Sequence, residues 1–312
     1  MNNTFNYQLL VINYQLLFTP YKRPFRHPLR TSSGVWKIRE GIMITLQDST
    51  GHMSYGEIAP LPRFGSETLD QALAFCSQYS KGITATEIMQ IPEQLPACQF
   101  AFESALESFV PQETPEEKLS LSTLLPAGER VLQAWQSAWQ QGQKTFKWKI
   151  GVFSLAEELA WFEQLVNTLP NEMQLRLDAN SGLTVQETQQ WLHQADASGK
   201  VEFIEQPLPP HQFEQMQELA ATFKTPIALD ESVGTLRQLE TCYKRGWRGI
   251  VVLKCAIAGS PRLLRELYQQ YPLDLVFSSV METTVAREAV FRLARELKPK
   301  RALGFGIDSW LD

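Results

Sequence analysis

The stretch TFKWKIG, residues 145–151, sets Lys147 and Lys149 two positions apart. It reads as a strand, and residues two apart on a strand share a face. Two neighbouring ammonium groups repel, so that face is either wet or makes use of the repulsion. Working outward, apolar runs lead into single polar residues again and again. These are Lys149, Asp178 (LRLDAN), Glu205 (VEFIEQP), Asp230 (PIALDES), Lys254 (IVVLKCAIAG) and Ser278, spaced by 29, 27, 25, 24 and 24 residues. Each interval holds about one strand and one helix, and amphipathic runs fill the gaps.

Eight strands are expected in this region, at 119–124, 145–150, 174–179, 201–205, 226–230, 249–254, 273–278 and 302–307. Two of the intervening helices announce their starts. Ser154 with Glu157, and Thr184 with Glu187, have capping-box spacing. Strands alternating with helices predict a (β/α)8 barrel or a close relative. A doubly wound sheet shares the period, but it offers ligand groups mainly at its switch point.

The first ~110 residues follow another plan, with strands first and helices after. Strands 41–47 and 52–58 flank the turn Asp48-Ser-Thr-Gly, and SETLDQALAFCSQYS predicts a helix with Ser66 as N-cap. ACQFAFESALESFV predicts a second helix. NYQLL at 6–10 and 13–17 is too short for an architectural repeat. The stretch YKRPFRHPLRTSSGVWKIRE sets Lys22, Arg23, Arg26, His27, Arg30, Lys37 and Arg39 against one acid, Glu40. It reads as a solvated loop or as a basic lid over an acidic substrate.

With 44% hydrophobic and 20% charged residues and a net charge of −5, the 312-residue chain has the composition of a soluble globular protein. Nothing there points to nucleic acid or an anionic membrane as partner. No apolar window approaches the ~18 residues of a membrane span, and the N-terminus lacks the pattern of a signal peptide. Four widely spaced cysteines without C-x-x-C fit a reducing cytoplasm and argue against a disulfide framework or a structural zinc. The oligomeric state stays open, and a monomer is compatible with all of this.

In a barrel the polar strand ends meet at the C-terminal mouth. Asp178, Glu205 and Asp230 would repel one another there unless a cation neutralised them, and hard oxygen ligands suit Mg²⁺, with Mn²⁺ as substitute. The four histidines show no paired ligand spacing, so zinc is not expected. Each acid alone could be a helix N-cap, and each lysine alone could serve a salt bridge. Single roles of that kind do not explain acids and lysines in phase. A neighbouring cation disfavours a second ammonium, so Lys147 is expected to lower the pKa of Lys149 and make it a general base. A metal on a substrate carboxylate stabilises the ene-diolate left when an α-proton departs. The chemistry expected is proton abstraction next to a carboxylate.

Lys147-x-Lys149, Asp178, Glu205, Asp230 and Lys254 resemble the enolase superfamily, in its muconate-lactonizing-enzyme-like subgroup, over essentially the whole chain. The resemblance implies a modified (β/α)7β TIM-type barrel at 113–312 behind an α+β capping domain at 1–112, with the last residues returning toward the cap. It implies Mg²⁺ held by Asp178, Glu205 and Asp230. YGEIAPLPRFGSET, FKWKIG, LRLDANSGL, FIEQPL, ALDES and FSSVMETTVA resemble most the o-succinylbenzoate synthase family. Those lyases carry out the syn dehydration of 2-succinyl-6-hydroxy-2,4-cyclohexadiene-1-carboxylate to 2-succinylbenzoate in menaquinone and phylloquinone biosynthesis.

Carried onto this chain, Lys149 takes the α-proton and returns it to the departing hydroxyl. Lys254 stabilises the anion from the other face, and Arg176 orients groups near Lys149. Ser278, Ser279 and Gly304 would contact the substrate. Loops at 31–34, with Thr31 and Ser32, and at 62–65 would close the pocket. The alternative is a racemase or epimerase of the same subgroup, acting on N-acylamino acids or dipeptides through two opposed lysines. Dipeptide epimerases typically carry D-x-D at the eighth strand. GFGIDSW offers only Asp308, which counts against an amino-dipeptide substrate and says little about N-acylamino acids.

Overall fold

The computed structural model describes residues 13–31, 34–110 and 118–306. β1 (Asn13–Thr31), β2 (Gly34–Gln47), β3 (Met53–Ile58) and β4 (Ile83–Thr84) form an antiparallel sheet in the order β3-β2-β1-β4. Its inner face is the alternate set Ile42, Ile44 and Leu46, all buried. Asp48 builds the turn: its Oδ1 accepts from the Thr50 N–H at 2.9 Å, the Thr50 hydroxyl at 2.7 Å and the His52 N–H at 3.0 Å. β4 covers only Asn13 and Tyr14 of β1. Pro20 and Pro24 lie beyond it, along an edge where no ladder donor is required.

The basic stretch expected as a loop continues β1 and β2 as a two-stranded ribbon. Lys22 stands opposite Glu40 and Arg23 opposite Arg39, with an irregularity between Pro24 and Leu29. The ribbon buries Phe25 and Arg39 and exposes Lys22, Val35 and Ile38. Charge density read along the chain concealed this two-sided pattern.

α1 (Leu69–Gln78), α2 (Ala85–Met89) and α3 (Pro96–Glu107) complete this unit. The N-cap of α1 is Thr68, in a reciprocal capping box with Gln71, rather than Ser66. The Ser66 hydroxyl accepts the Leu61 N–H at 2.6 Å instead. Glu67 is drawn to the start of α3, where it accepts from Ala97 at 3.0 Å and Cys98 at 2.7 Å. α3 is buried almost along its whole length, packed between β3 and the helices that follow. The expected domain boundary at 112/113 lies outside the described residues.

The rest is a parallel barrel. In chain order it runs β5 (Leu121–Leu125), α4 (Val131–Gln140), β6 (Thr145–Lys149), α5 (Leu155–Thr168), β7 (Gln174–Asp178) and α6 (Val185–Ser198). Next come β8 (Val201–Glu205), α7 (Phe213–Thr222), β9 (Ile227–Leu229), α8 (Leu236–Lys244) and β10 (Ile250–Leu253). Last are α9 (Cys255–Ala258), α10 (Pro261–Gln270), β11 (Asp274–Phe277), α11 (Thr284–Leu297) and β12 (Leu303–Gly306). The sheet order is β11-β10-β9-β8-β7-β6-β5-β12, and a parallel bridge between Ser278 and Gly304 joins its two ends. Every crossover between consecutive strands is helical, as a (β/α)7β barrel requires. The capping boxes at Ser154 and Thr184 form as expected.

Strand alternation sorts the two sides of the barrel wall. Phe146, Trp148, Leu177, Ile204, Leu229, Leu253 and Phe277 join the main core under the helices. Trp148 meets Trp191 of α6 edge-on at 6.0 Å. Phe203, Ala228, Ile250, Val252 and Val276 form a separate buried cluster. Four of these lie two residues before Glu205, Asp230, Lys254 and Ser278, so they are the layer inside the barrel on which the polar strand ends stand.

The opposite end of the barrel is closed by charge. Arg301 pairs with both oxygens of Asp274 at 2.8 Å and with Glu202 at 2.7 Å, and Glu202 also receives Arg176 at 2.6 Å.

Candidate active site

The strand ends converge as the spacing requires. Lys149 stands level with Asp178, and Asp178 level with Glu205. Asp178, Glu205 and Asp230 are 6%, 1% and 3% exposed, so all three carboxylates are desolvated. Lys147 reaches up between two of them, with Nζ 2.7 Å from Asp178 and 2.6 Å from Glu205. Lys254 pairs with Asp230. β10 lies four places from β6 in the ring of eight, so Lys254 and Lys149 rise from opposite walls.

Burial works against the Lys147 ammonium, but Asp178, Glu205 and Asp230 outweigh it and hold its pKa above the ordinary lysine value. Lys147 is therefore fully engaged by carboxylates, not the bare neighbouring charge that reading two lysines in isolation suggests. Burial raises Asp178, and Lys147, with help from Lys149 and the Asn180 N–H, brings it below its usual value. Glu205 goes the other way. Burial, then the charges of Asp178 and Asp230, push it up to about 8.

Among the described residues no three acid, imidazole or thiol groups stand as a ready-made cation cage. Lys147 is threaded between Asp178 and Glu205, and Lys254 holds Asp230. The donor set nonetheless fits a hard divalent cation. It offers three buried carboxylates at the ends of adjacent strands, one of them driven toward its neutral form by burial and then by the charges of the other two. Beside them, burial and Asp230 raise Glu231 to about 7. Its Oε1 accepts from Asn180 at 3.1 Å, and its buried Oε2 has no hydrogen-bond partner.

The rim is strained and braced. Asn180, Ser181, Gln206 and Met281 have positive φ, and all four lie in loops just after strands β7, β8 and β11. Such strain collects at functional sites. Gln206 ties together the loops after β7, β8 and β9. Its Oε1 accepts from Asp230 at 2.8 Å and Ser232 at 3.1 Å, its Nε2 donates to Leu208 and Ser232, and its carbonyl accepts the Ser181 N–H at 2.7 Å.

The other expected residues fall in different places. Arg176 pairs in register with Lys147 and lies one layer below Lys149. It is turned toward Glu202 and stacks over Phe203, 4.9 Å from the ring centroid. A two-residue step along a strand moves a side chain toward the floor as well as keeping its face.

Ser278 and Gly304 meet across the closing bridge, and a Cβ on Gly304 would lie 2.9 Å from the Ser278 hydroxyl. The Ser279 hydroxyl donates to Glu282 at 2.8 Å and accepts from Met281 at 2.9 Å. Thr31 pairs with Gly34 at the ribbon end. The Thr31 side chain, Ser32 and Asp308 lie outside the described residues.

The turn at 62–65 does reach the site. Phe64 covers Lys254, and Gly234 fits against the Phe64 carbonyl so closely that a Cβ would stand 1.6 Å from it. Between this turn and the ribbon is a cavity of about 420 Å³ lined by Trp36, Arg39, Pro60, Leu61 and Arg63, of a size for a small organic ligand.

Sequence reasoning named the 62–65 loop that carries Phe64, but it gave no role to Gln206 or Glu57. Glu57 is buried in the cap and accepts the Thr283 N–H at 2.9 Å and the Ala286 N–H at 3.2 Å, fastening the cap to α11. Its one sequence signal is an acid interrupting an apolar run, YGEIAP.

Among the described residues no helix is long and apolar enough to cross a membrane. The family profile "Enolase C-terminal domain-like" matches residues 130–294, and "MenC, N-terminal domain" matches 17–109. The chain is 43% identical over 294 residues to the o-succinylbenzoate synthase of Thermosynechococcus vestitus, covering 93% of this chain and 91% of that protein. The o-succinylbenzoate synthase of Yersinia enterocolitica is 30% identical over 281 residues, covering 86% and 82%. The solved o-succinylbenzoate synthase from Thermosynechococcus elongatus BP-1, complexed with Mg in the active site, superposes with a TM-score of 0.91 at 42% identity, covering 96% and 94%. The L-Ala-D/L-Glu epimerase of Bacillus subtilis shares the fold at a TM-score of 0.79 and 19% identity, covering 95% and 90%. A barrel with acids and lysines on successive strand ends, under a cap that matches its own profile, leads to one conclusion: the chain belongs to the o-succinylbenzoate synthase family of the enolase superfamily.

Proposed function

We propose that this chain is an o-succinylbenzoate synthase. It would dehydrate 2-succinyl-6-hydroxy-2,4-cyclohexadiene-1-carboxylate to 2-succinylbenzoate, as a cytoplasmic enzyme of menaquinone or phylloquinone biosynthesis. The observation that carries the reading is the placement of Lys149 and Lys254 on opposite walls of a mouth floored by three buried carboxylates.

Lys149, as the free amine, takes the proton from the carbon bearing the substrate carboxylate. The ammonium so formed gives that proton to the hydroxyl leaving from the same face, so water departs and the ring becomes aromatic. Lys254, on the other face, balances the negative charge that develops in between. Lys147 neutralises Asp178 and Glu205 at the base of the site. Asp178, Glu205 and Asp230 would hold Mg²⁺, or Mn²⁺ in its place, which when bound supplies a Lewis acid for the substrate carboxylate. Ser278, Ser279 and Gly304 line the wall next to β12, where small side chains leave room for a ring. The cap, up to about residue 112, would close the site with the turn at 62–65, and Thr31 and Ser32 would contact the substrate, as the family resemblance implies.

The test is Mg²⁺-dependent turnover of the cyclohexadiene carboxylate, set against a panel of N-acylamino acids and dipeptides. Lys149→Ala should lower kcat by ~10²–10⁴-fold, the usual contribution of a positioned base. Undiminished turnover in that variant would remove Lys149 from its role.

A further inference from the structure

The loop that follows Lys149 is gripped from behind by one carboxylate. Glu158, on α5, is 1% exposed. Its Oε2 accepts the Gly151 N–H at 2.7 Å, and its Oε1 accepts the N–H groups of Val152 at 2.9 Å and Phe153 at 3.0 Å. Three consecutive backbone donors thus converge on a single side chain. This is not the helix cap, because Ser154 and Glu157 already close the start of α5 in a capping box. The arrangement also leaves Val152 and Phe153 49% and 48% exposed. A loop free to relax would bury such side chains.

On the strand side, the Ile150 N–H donates to the Asp178 carbonyl at 2.9 Å, and Lys149 stands level with Asp178. Gly151, at φ +73, makes the turn between the two anchors. A Cβ there would sit 3.3 Å from Leu183, so the turn is seated against the next loop. The backbone is therefore clamped at Ile150 by β7 and from Gly151 to Phe153 by Glu158. Lysine has a long, flexible stem. The fixed reference for its nitrogen is the backbone at its root.

We infer that Glu158 is a positioning residue for Lys149. It sets where β6 ends, and so the point from which the amine reaches the substrate. The inference rests on the reading of Lys149 as the base. Misplacing a reacting group by ~1 Å can cost about 10²-fold in rate, which gives the clamp its purpose. Glutamine cannot replace it fully, since the amide has one acceptor oxygen and its NH₂ opposes an N–H of the loop.

The experiment is Glu158→Gln, followed by steady-state kinetics and by the primary deuterium isotope effect with substrate labelled at the α-carbon. The expected result is a fall in kcat of ~10–100-fold with KM nearly unchanged. The isotope effect on kcat should rise, because proton abstraction has become slower relative to the other steps. Glu158→Asp keeps the charge and both acceptor oxygens and should recover part of the rate. Should the glutamine variant not fold, the same two measurements on Glu158→Asp decide the matter. If any loss of kcat merely follows the folded fraction, with the isotope effect unchanged, the inference is overturned. If Lys149→Ala is inactive while Glu158→Gln is unaffected, only this inference fails. If Lys149→Ala turns over normally, the underlying reading fails with it.

Discussion

Lys254 faces the ring of Phe64, its ammonium nitrogen 4.0 Å from the ring centroid. Phe64 belongs to the turn between β3 and α1, and Lys254 ends β10, so cap and barrel meet directly on a proposed catalytic group. A cation over an aromatic face gains about 0.5–2 kcal/mol, more when desolvated. Phe64→Ala should therefore lower kcat/KM by roughly 3–30-fold, while Phe64→Tyr keeps most of the activity. Steady-state kinetics of the two variants check this. Equal losses in both would show that ring shape, and not the ring face, is what Lys254 needs.

Lys254→Ala separates a dehydratase from a racemase. In the dehydratase reading Lys149 does all the proton transfer, and Lys254 only balances charge. Turnover should fall by ~10²-fold or more, as for a lost oxyanion donor. The wild-type enzyme should exchange no α-hydrogen of unreacted substrate through the Lys254 face. Deuterium incorporation in D₂O, followed by NMR, measures it.

Metal removal should abolish turnover reversibly. Dialysis against EDTA is expected to leave an inactive protein that Mg²⁺ restores, with Mn²⁺ as a substitute. Asp178→Asn and Glu205→Gln should each weaken Mg²⁺ binding, as seen by titration calorimetry on the variants without substrate. Unchanged affinity in both would move the metal away from these strand ends.

A pH effect on stability is expected where α3 of the cap meets the barrel. Glu103, on α3, is 2% exposed and accepts the Ser260 hydroxyl at 2.6 Å. Burial pushes its carboxyl up from 4.5 to about 7, against the help of Ser260 and Arg262. The folded state thus binds a proton that the unfolded state has released. The contribution of Glu103 is favourable below its unfolded pKa and is lost as pH rises through the folded one. Glu103→Gln keeps an acceptor for Ser260 and removes the titration. It should raise Tm relative to wild type at pH 8, by at most about 3 kcal/mol of stability, and change it little at pH 4.5. Melting curves at the two pH values test the sign.

The repeating strand ends were legible because both periods involved are local. Alternation at two residues fixes a face, and one βα unit fixes the interval from Lys149 to Asp178 to Glu205. Capping at Ser154 and Thr184 depends on residues three apart and was equally readable. The ribbon was not, because its pattern of buried Phe25 and Arg39 depends on which strand pairs with which. Ser66 was misread as a cap for a similar reason: its hydroxyl is taken by Leu61, and Glu67 is drawn to the start of α3.

By itself the sequence determined the barrel, its cap, the ring of acids and lysines, and hence the class of chemistry. Those follow from the order of polar and apolar residues along single strands and helices. Tertiary structure alone decided which charges meet. Lys147 joins Asp178 and Glu205, Lys254 joins Asp230 under Phe64, and Arg176 turns to Glu202 at the floor, where a register shift between Leu175 and Arg176 admits that acid. It also decided that Glu158 would receive three N–H groups of one loop. The physical reason is that an ion pair or a clamp needs distance in space. Distance between strands is set by register and closure of the whole sheet, which no local stretch of sequence contains.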